Sequence, residues 1–109
     1  MNSAAHRVEP LRIEPDGAST LRLAGAMTFA TAARALPEGL RRLDGCASGD
    51  VTIDCSGVGT ADSAGLAVLV EWLAWGRRRG RRIELRSVPR SLIDIARISE
   101  LEELLEPQG

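Results

Sequence analysis

Tyrosine and lysine are absent from these 109 residues, and histidine occurs once, at His6. A lone histidine in a polar N-terminal stretch leaves every serine without a nearby base, so a Ser/His/Asp triad is not expected. The two cysteines, Cys46 and Cys55, show no metal-ligand spacing, and no cluster suits zinc or calcium. Both are expected to be reduced thiols, with Cys55 filling space at a strand end. Gly57 and Gly59 lack the following Lys-Ser/Thr of a P-loop and the spacing of a dinucleotide fingerprint. No apolar run approaches the roughly 20 residues of a membrane span, and the opening residues do not resemble a secretory signal. The expected setting is therefore the cytoplasm. These absences point to a domain that is not an enzyme and carries no metal or cofactor.

Aromatics are also scarce: Phe29, Trp72 and Trp75 are the full set, so the core must be aliphatic. All fourteen basic residues are arginine, set against fifteen acids, and the net charge of −1 argues against nucleic acid as the main partner. The length suits one domain, residues 1–109, with a loose tail over 1–7.

The order of elements can be followed along the chain. Val8, Leu11 and Ile13 suggest a first strand at a sheet edge, because Pro10 interrupts it. Pro15, Asp16 and Gly17 signal a turn into a second strand, Thr20 to Gly25, with Leu21 and Leu23 on one face and Arg22 on the other. Thr28 is a plausible N-cap for a helix starting at Phe29. Phe29, Ala32, Ala33, Leu36, Leu40 and Leu43 then share its inner face, and Pro37 is expected to bend or restart it. Gly45 and the stretch from Ala47 through Ser48 to Gly49 close this unit. Val51 to Cys55 is the central strand, and Ser56 to Ala61 is expected to be a glycine-broken loop.

A helix over Ser63 to about Arg79 follows. Asp62 and Ser63 are residue types that accept hydrogen bonds from a first helical turn, so Ser63 is expected with its hydroxyl near free amides. That helix end favours anions. Leu66, Leu69, Val70 and Leu73 form the stripe toward the sheet. Ala64, Val68 and Trp75 project to the other side, beside Ala67 and Glu71, as a docking surface for a partner. The competing reading has Trp72 and Trp75 cover the far edge of the same core. Five arginines between Arg77 and Arg82, with Gly80 among them, terminate the helix and offset its negative end. Ile83, Leu85 and Val88 suit a fourth strand parallel to the central one. Pro89 to Ser91 open a third helix, with Leu92, Ile95 and Ala96 inside and Ile93 and Arg97 outside. Leu101, Leu104 and Leu105 pack back before Pro107.

The run Asp62, Ser63, Ala64, Gly65, Leu66 after a strand ending Ile53, Asp54, Cys55, Ser56, Gly57, Val58 resembles the signature of the STAS domain. The resemblance covers roughly residues 19 to 106 and implies an α/β fold: one mixed four-stranded sheet with three to four helices, open on one face. In anti-sigma-factor antagonists of this family the serine matching Ser63 is phosphorylated by a partner kinase, which breaks the complex. Those antagonists carry acids where this chain has Ala26 and Thr28. Gly25 to Thr31 is instead similar to MlaB-type subunits of the lipid-asymmetry (Mla) ABC transporter, as are Leu66 to Leu73 and Ile95 to Leu105. That likeness implies an accessory subunit at the inner-membrane face, bound to a MlaF-like cytoplasmic ATPase and supporting phospholipid transport. Asp62, Ser63, Ala64, Gly65, Ala67, Val68, Glu71, Trp75 and Thr28 are the expected contact residues. The alternative implied partner is an anti-sigma serine kinase.

Overall fold

The computed structural model describes residues 9–47 and 49–105. The expected tail over 1–7 with His6, the start of the first strand at Val8, Ser48 and the end from Pro107 lie outside them. So does the side chain of Leu104. The elements are β1 (Leu11–Pro15), β2 (Thr20–Met27), α1 (Phe29–Asp44), β3 (Val51–Ala61), α2 (Ser63–Arg78), β4 (Ile83–Arg86), α3 (Arg90–Ile98) and the short α4 (Glu102–Leu105).

The sheet order is β1-β2-β3-β4. β1 and β2 form an antiparallel hairpin, and β2, β3 and β4 run parallel. Two successive right-handed crossovers in one direction along a sheet place their helices on one face. Ile13, Leu21, Leu23, Val51, Ile53, Cys55, Ile83 and Leu85 point to that face and are buried. The other face is open and polar. Across it Glu14, Arg22, Asp54 and Arg86 pair in register, one from each strand, with alternating charge. Asp54 sits 3.8 Å from Arg22 Nε and 3.8 Å from Arg86 Nη2. Its Oδ1 also accepts the Ser56 amide at 3.0 Å. That backbone hydrogen bond, more than either arginine, holds its carboxyl below the usual range.

Residues 56–61, expected as a loop, continue β3 instead. β3 carries an extra residue relative to β2 at two places, between Arg22 and Ala24 and between Gly25 and Ala26. At the first bulge a Cβ on Gly57 would stand 2.6 Å from the Leu23 carbonyl oxygen. β2 likewise runs past Gly25 to Met27, with Gly25 at φ +115 where a side chain would strike Pro10. β4 stops at Arg86, before Val88, because Ser87 turns to φ 58.

The helices need two further corrections. α1 continues through Pro37 as one helix. The carbonyl that Pro37 leaves unpaired belongs to Ala33, an exposed residue that solvent can reach. Its buried residues are Thr31, Ala35, Gly39 and Leu43, while Ala32, Leu36 and Leu40 are half-buried and Ala33 is exposed. Phe29, expected inside, is 84% exposed. Gly39 explains the rotation. Its missing Cβ leaves room for the indole of Trp72, which lies against the α1 backbone and donates Nε1–H to the Leu36 carbonyl at 3.2 Å. α2 buries a far wider arc than one stripe: Gly65, Leu66, Val68, Leu69, Trp72, Leu73, Trp75 and Gly76. Val68 and Trp75 are only 4% and 6% exposed, so they belong to the core and not to an outer surface. α2 lies on the sheet and between α1 and α3, and three packed sides leave little of its circumference in water.

Past α2, Arg79 is the C-cap and Gly80 adopts the left-handed conformation at φ +67. The Arg79 guanidinium stacks 4.9 Å from the Trp75 ring centroid. Arg81 reaches back to the α1–β3 connection and donates to the carbonyls of Gly49 at 3.0 Å, Leu43 at 3.3 Å and Ala47. It satisfies orphan acceptors at the end of α1 and ties that end to the α2–β4 turn.

Gly39→Ala tests the close approach of α1 to Trp72. Alanine is the better helix former by about 1 kcal/mol. The new methyl group nevertheless meets a ring with nowhere to go, and overpacking of this kind costs about 1–3 kcal/mol. Urea denaturation is expected to show a net loss of stability; a gain would mean that the ring yields freely.

Candidate functional site

The parallel crossovers bring the N-termini of α1 and α2 side by side at the C-terminal edge of β2 and β3. Each helix start has orphan amides that need acceptors. α1 has Thr28 as N-cap, forming a capping box with Thr31 in which the Thr28 amide donates to Thr31 Oγ1 at 3.0 Å. Thr31 Oγ1 also donates to the Ala26 carbonyl at 2.9 Å, anchoring the turn to β2.

Asp62, not Ser63, is the N-cap of α2. Its Oδ1 accepts the amides of Ala64 at 2.9 Å and Gly65 at 3.2 Å. Its Oδ2 accepts the amide of Phe29, the first residue of α1, at 3.0 Å. One carboxylate therefore serves both helix ends. The Phe29 hydrogen bond is the largest influence holding the Asp62 carboxyl below its ordinary range, partly opposed by burial, with Gly65 and Ala64 adding to the lowering. Ser63 is the first helical residue and is exposed. With Asp62 taking the cap, the Ser63 hydroxyl is left at the surface over a helix start, where the amide dipoles favour negative charge.

Gly65, expected as a contact residue, has a packing role. A Cβ there would collide with the Met27 carbonyl, so glycine lets the first turn of α2 settle onto the end of β2. Val68 and Trp75 are withdrawn from the surface as described above. Ala64 is half-buried, whereas Ala67 and Glu71 are exposed. These three share an apolar groove of about 350 Å³ with Phe29, Ala32, Ala33, Leu36 and the edge of Val68. Among the described residues Glu71 is the only charged one lining it. The structure thus assembles Asp62, Ser63, Ala64, Ala67, Glu71 and Thr28 at one end of the α1–α2 face. It adds Phe29 and Ala33, which helical periodicity had turned inward. The signal that could have found them is the run Thr31, Ala35, Gly39, Leu43 at four-residue spacing, a buried row made mostly of small residues.

The remaining chemistry is quiet. Cys55 is fully buried, and burial, helped by the charge of Asp54, pushes its thiol up to about 12. Among the described residues no group of three His, Cys, Asp or Glu could hold a metal, and no helix is long and apolar enough to cross a membrane.

A family model described as "Mlab, STAS domain" matches residues 12–106. The chain belongs to the STAS domain family. Solved structures agree on the fold. A sulfate transporter family protein from Wolinella succinogenes superposes with a TM-score of 0.61 at 21% identity, over 86% of this chain and 75% of that one. The murine Solute Carrier 26 family member A9 anion transporter, in its inward-facing state, gives 0.59 at 18% identity over 76% of this chain. This chain spans 14% of that transporter's length. No curated protein matches the sequence. Within the STAS fold the shared cap and the groove beside it occupy the edge where the parallel strands end, a common place for function in open α/β sheets.

Replacing Asp62 by asparagine tests the double cap through its pH dependence. The carboxyl titrates lower in the folded than in the unfolded chain, so its stabilisation is complete above the unfolded value of about 3.9. It disappears as pH falls through the lower, folded value. The stability gap between wild type and Asp62→Asn is therefore expected at neutral pH and should close in acid. Asp62→Ala should cost about 0.5–2 kcal/mol for each helix end that loses its acceptor. A gap that is the same at pH 3 and pH 7 would mean that the charge does not matter.

Proposed function

We propose that this STAS domain is a non-enzymatic accessory subunit that docks on the cytoplasmic ATPase of a phospholipid ABC transporter and supports its assembly or activity. The observation that carries the docking site is Phe29: a phenylalanine 84% exposed, beside an apolar groove, at a helix start held rigid by Asp62. Fully burying such a side chain is worth roughly 1.5–3 kcal/mol, which a partner surface could recover. Aromatic anchors of this kind dominate protein interfaces. Ala33, Ala64 and Ala67 let a partner helix approach closely. The choice of an ABC-transporter ATPase rests on the likeness of residues 25–31, 66–73 and 95–105 to MlaB-type subunits and is supported by the family match. In this reading the domain sits at the cytoplasmic face of the inner membrane through its partner.

The exposure of Ser63 favours a second reading, a phosphorylation-switched antagonist of an anti-sigma serine kinase. A phosphate there would suit the helix end yet repel an apolar or acidic partner surface.

Co-purification with an ABC-transporter ATPase of the same cell separates the two. Phe29→Asp and Ala67→Glu are expected to abolish the complex while the isolated domain keeps its melting temperature within about 4 °C, as surface changes do. Ser63→Glu should weaken it. Undiminished co-purification of Phe29→Asp would remove the docking site. Capture of a serine kinase that phosphorylates Ser63, with no ATPase, would favour the antagonist.

A further inference from the structure

The opposite end of the molecule carries the second surface. α1 and α2 run parallel, so both C-termini lie there, with the β1–β2 turn and the α1–β3 connection; Ala47 donates to the Ala18 carbonyl and Arg81 to the Leu43 carbonyl across this end. Arg41 and Arg42 occupy the last turn of α1, and Arg77 and Arg78 the last turn of α2. Arg79 and Arg81 have structural duties, on Trp75 and on the loop carbonyls. Arg41, Arg42, Arg77, Arg78 and Arg82 are exposed and make no ion pair among the described residues.

Compensation of the helix ends does not account for this many charges. Each C-terminus supplies about half a negative charge. Asp16, Asp44 and Asp50, with Glu38 one turn back on α1 and Glu84 at the start of β4, are the acids near this end among the described residues, against seven arginines. The pole is therefore positive although the chain as a whole is not. Between the β1–β2 turn and the end of α1 it is also concave: a cleft of about 470 Å³ is lined by Pro15, Gly17, Ala18, Arg41, Arg42 and Cys46, among others. Burial pushes the Cys46 thiol up, so it adds no negative charge.

We propose that this arginine pole, centred on the cleft at Arg41 and Arg42, binds phosphate-bearing anions. Guanidinium groups offer paired donors matched to phosphate oxygens, and two of them on one cleft rim can grip a single group while Arg77, Arg78 and Arg82 enlarge the field around it. The phosphate could come from a free anion or from the headgroups of an anionic bilayer. The proposal is independent of the docking site at Phe29, which lies at the other end of α1.

The test uses the full chain. Amide shifts are followed by NMR as inorganic pyrophosphate is added, and co-sedimentation is measured with phosphatidylcholine vesicles with and without phosphatidylglycerol. Pyrophosphate shifts concentrated at Gly17, Ala18 and Gly45 assign a free anion. Sedimentation that needs phosphatidylglycerol, without such shifts, assigns lipid headgroups. Either effect should fade with added salt. Arg41→Glu/Arg42→Glu, both exposed, should weaken whichever is seen by about tenfold or more. Arg34→Glu, on α1 but away from the pole, should leave it unchanged. No response to either probe, or equal losses from Arg34→Glu and the double variant, would overturn the proposal.

Discussion

A single carboxylate stands at the junction of the two long helices. Asp62 accepts one amide from the start of α1 and two from the start of α2. Those amides have no intrahelical partner, and a capping acceptor for such a helix end is worth about 0.5–2 kcal/mol. Sharing one acceptor between two helix ends also sets how far apart they can lie. The first turns are held against each other and against the end of β2, where Gly65 meets the Met27 carbonyl and Thr31 reaches the Ala26 carbonyl. The groove at Phe29 depends on that positioning. Its walls are the outer flanks of two helix starts that cannot slide independently.

Connectivity then gives the domain two unlike ends. Parallel strands joined by right-handed crossovers align α1 and α2, so their amide ends converge at one pole and their carbonyl ends at the other. The amide end is capped internally by Asp62 and presents apolar surface beside the Ser63 hydroxyl. The carbonyl end is over-compensated by arginine. The open face of the sheet differs from both: its charges alternate across the strands and meet one another at Asp54, so little field is left there to attract a ligand. A net charge of −1 conceals this separation entirely.

Packing rotated α1 away from the arrangement that large apolar residues suggest, and widened the buried arc of α2. Trp72 needs depth, and Gly39 supplies it by letting the indole reach the α1 backbone. α1 consequently buries Thr31, Ala35 and Gly39 and turns Phe29 outward. α2, wedged between its neighbours, absorbs Val68 and Trp75 into the core. The docking face is left to alanines and one phenylalanine, a smaller and flatter surface than a hydrophobic count of α2 implies.

Local chemistry was enough to read the order of strands and helices, the edge hairpin, the parallel fourth strand and the strand-to-helix junction at Asp62 and Ser63. Each depends on neighbours in the chain: alternation, helical spacing, turn residues and capping side chains. Other features escaped it because they depend on residues far apart in sequence, the burial of Val68 and Trp75 among them. The bulged extension of β3 follows from its register against β2. The exposure of Phe29 follows from a glycine on one helix meeting a tryptophan on the next. The second duty of Asp62, toward an amide 33 residues earlier, exists because two crossovers of the same hand bring those helix starts together. Short-range patterns specify which elements form; which side of each remains in water is set by close approach between elements, and that is a property of the folded chain.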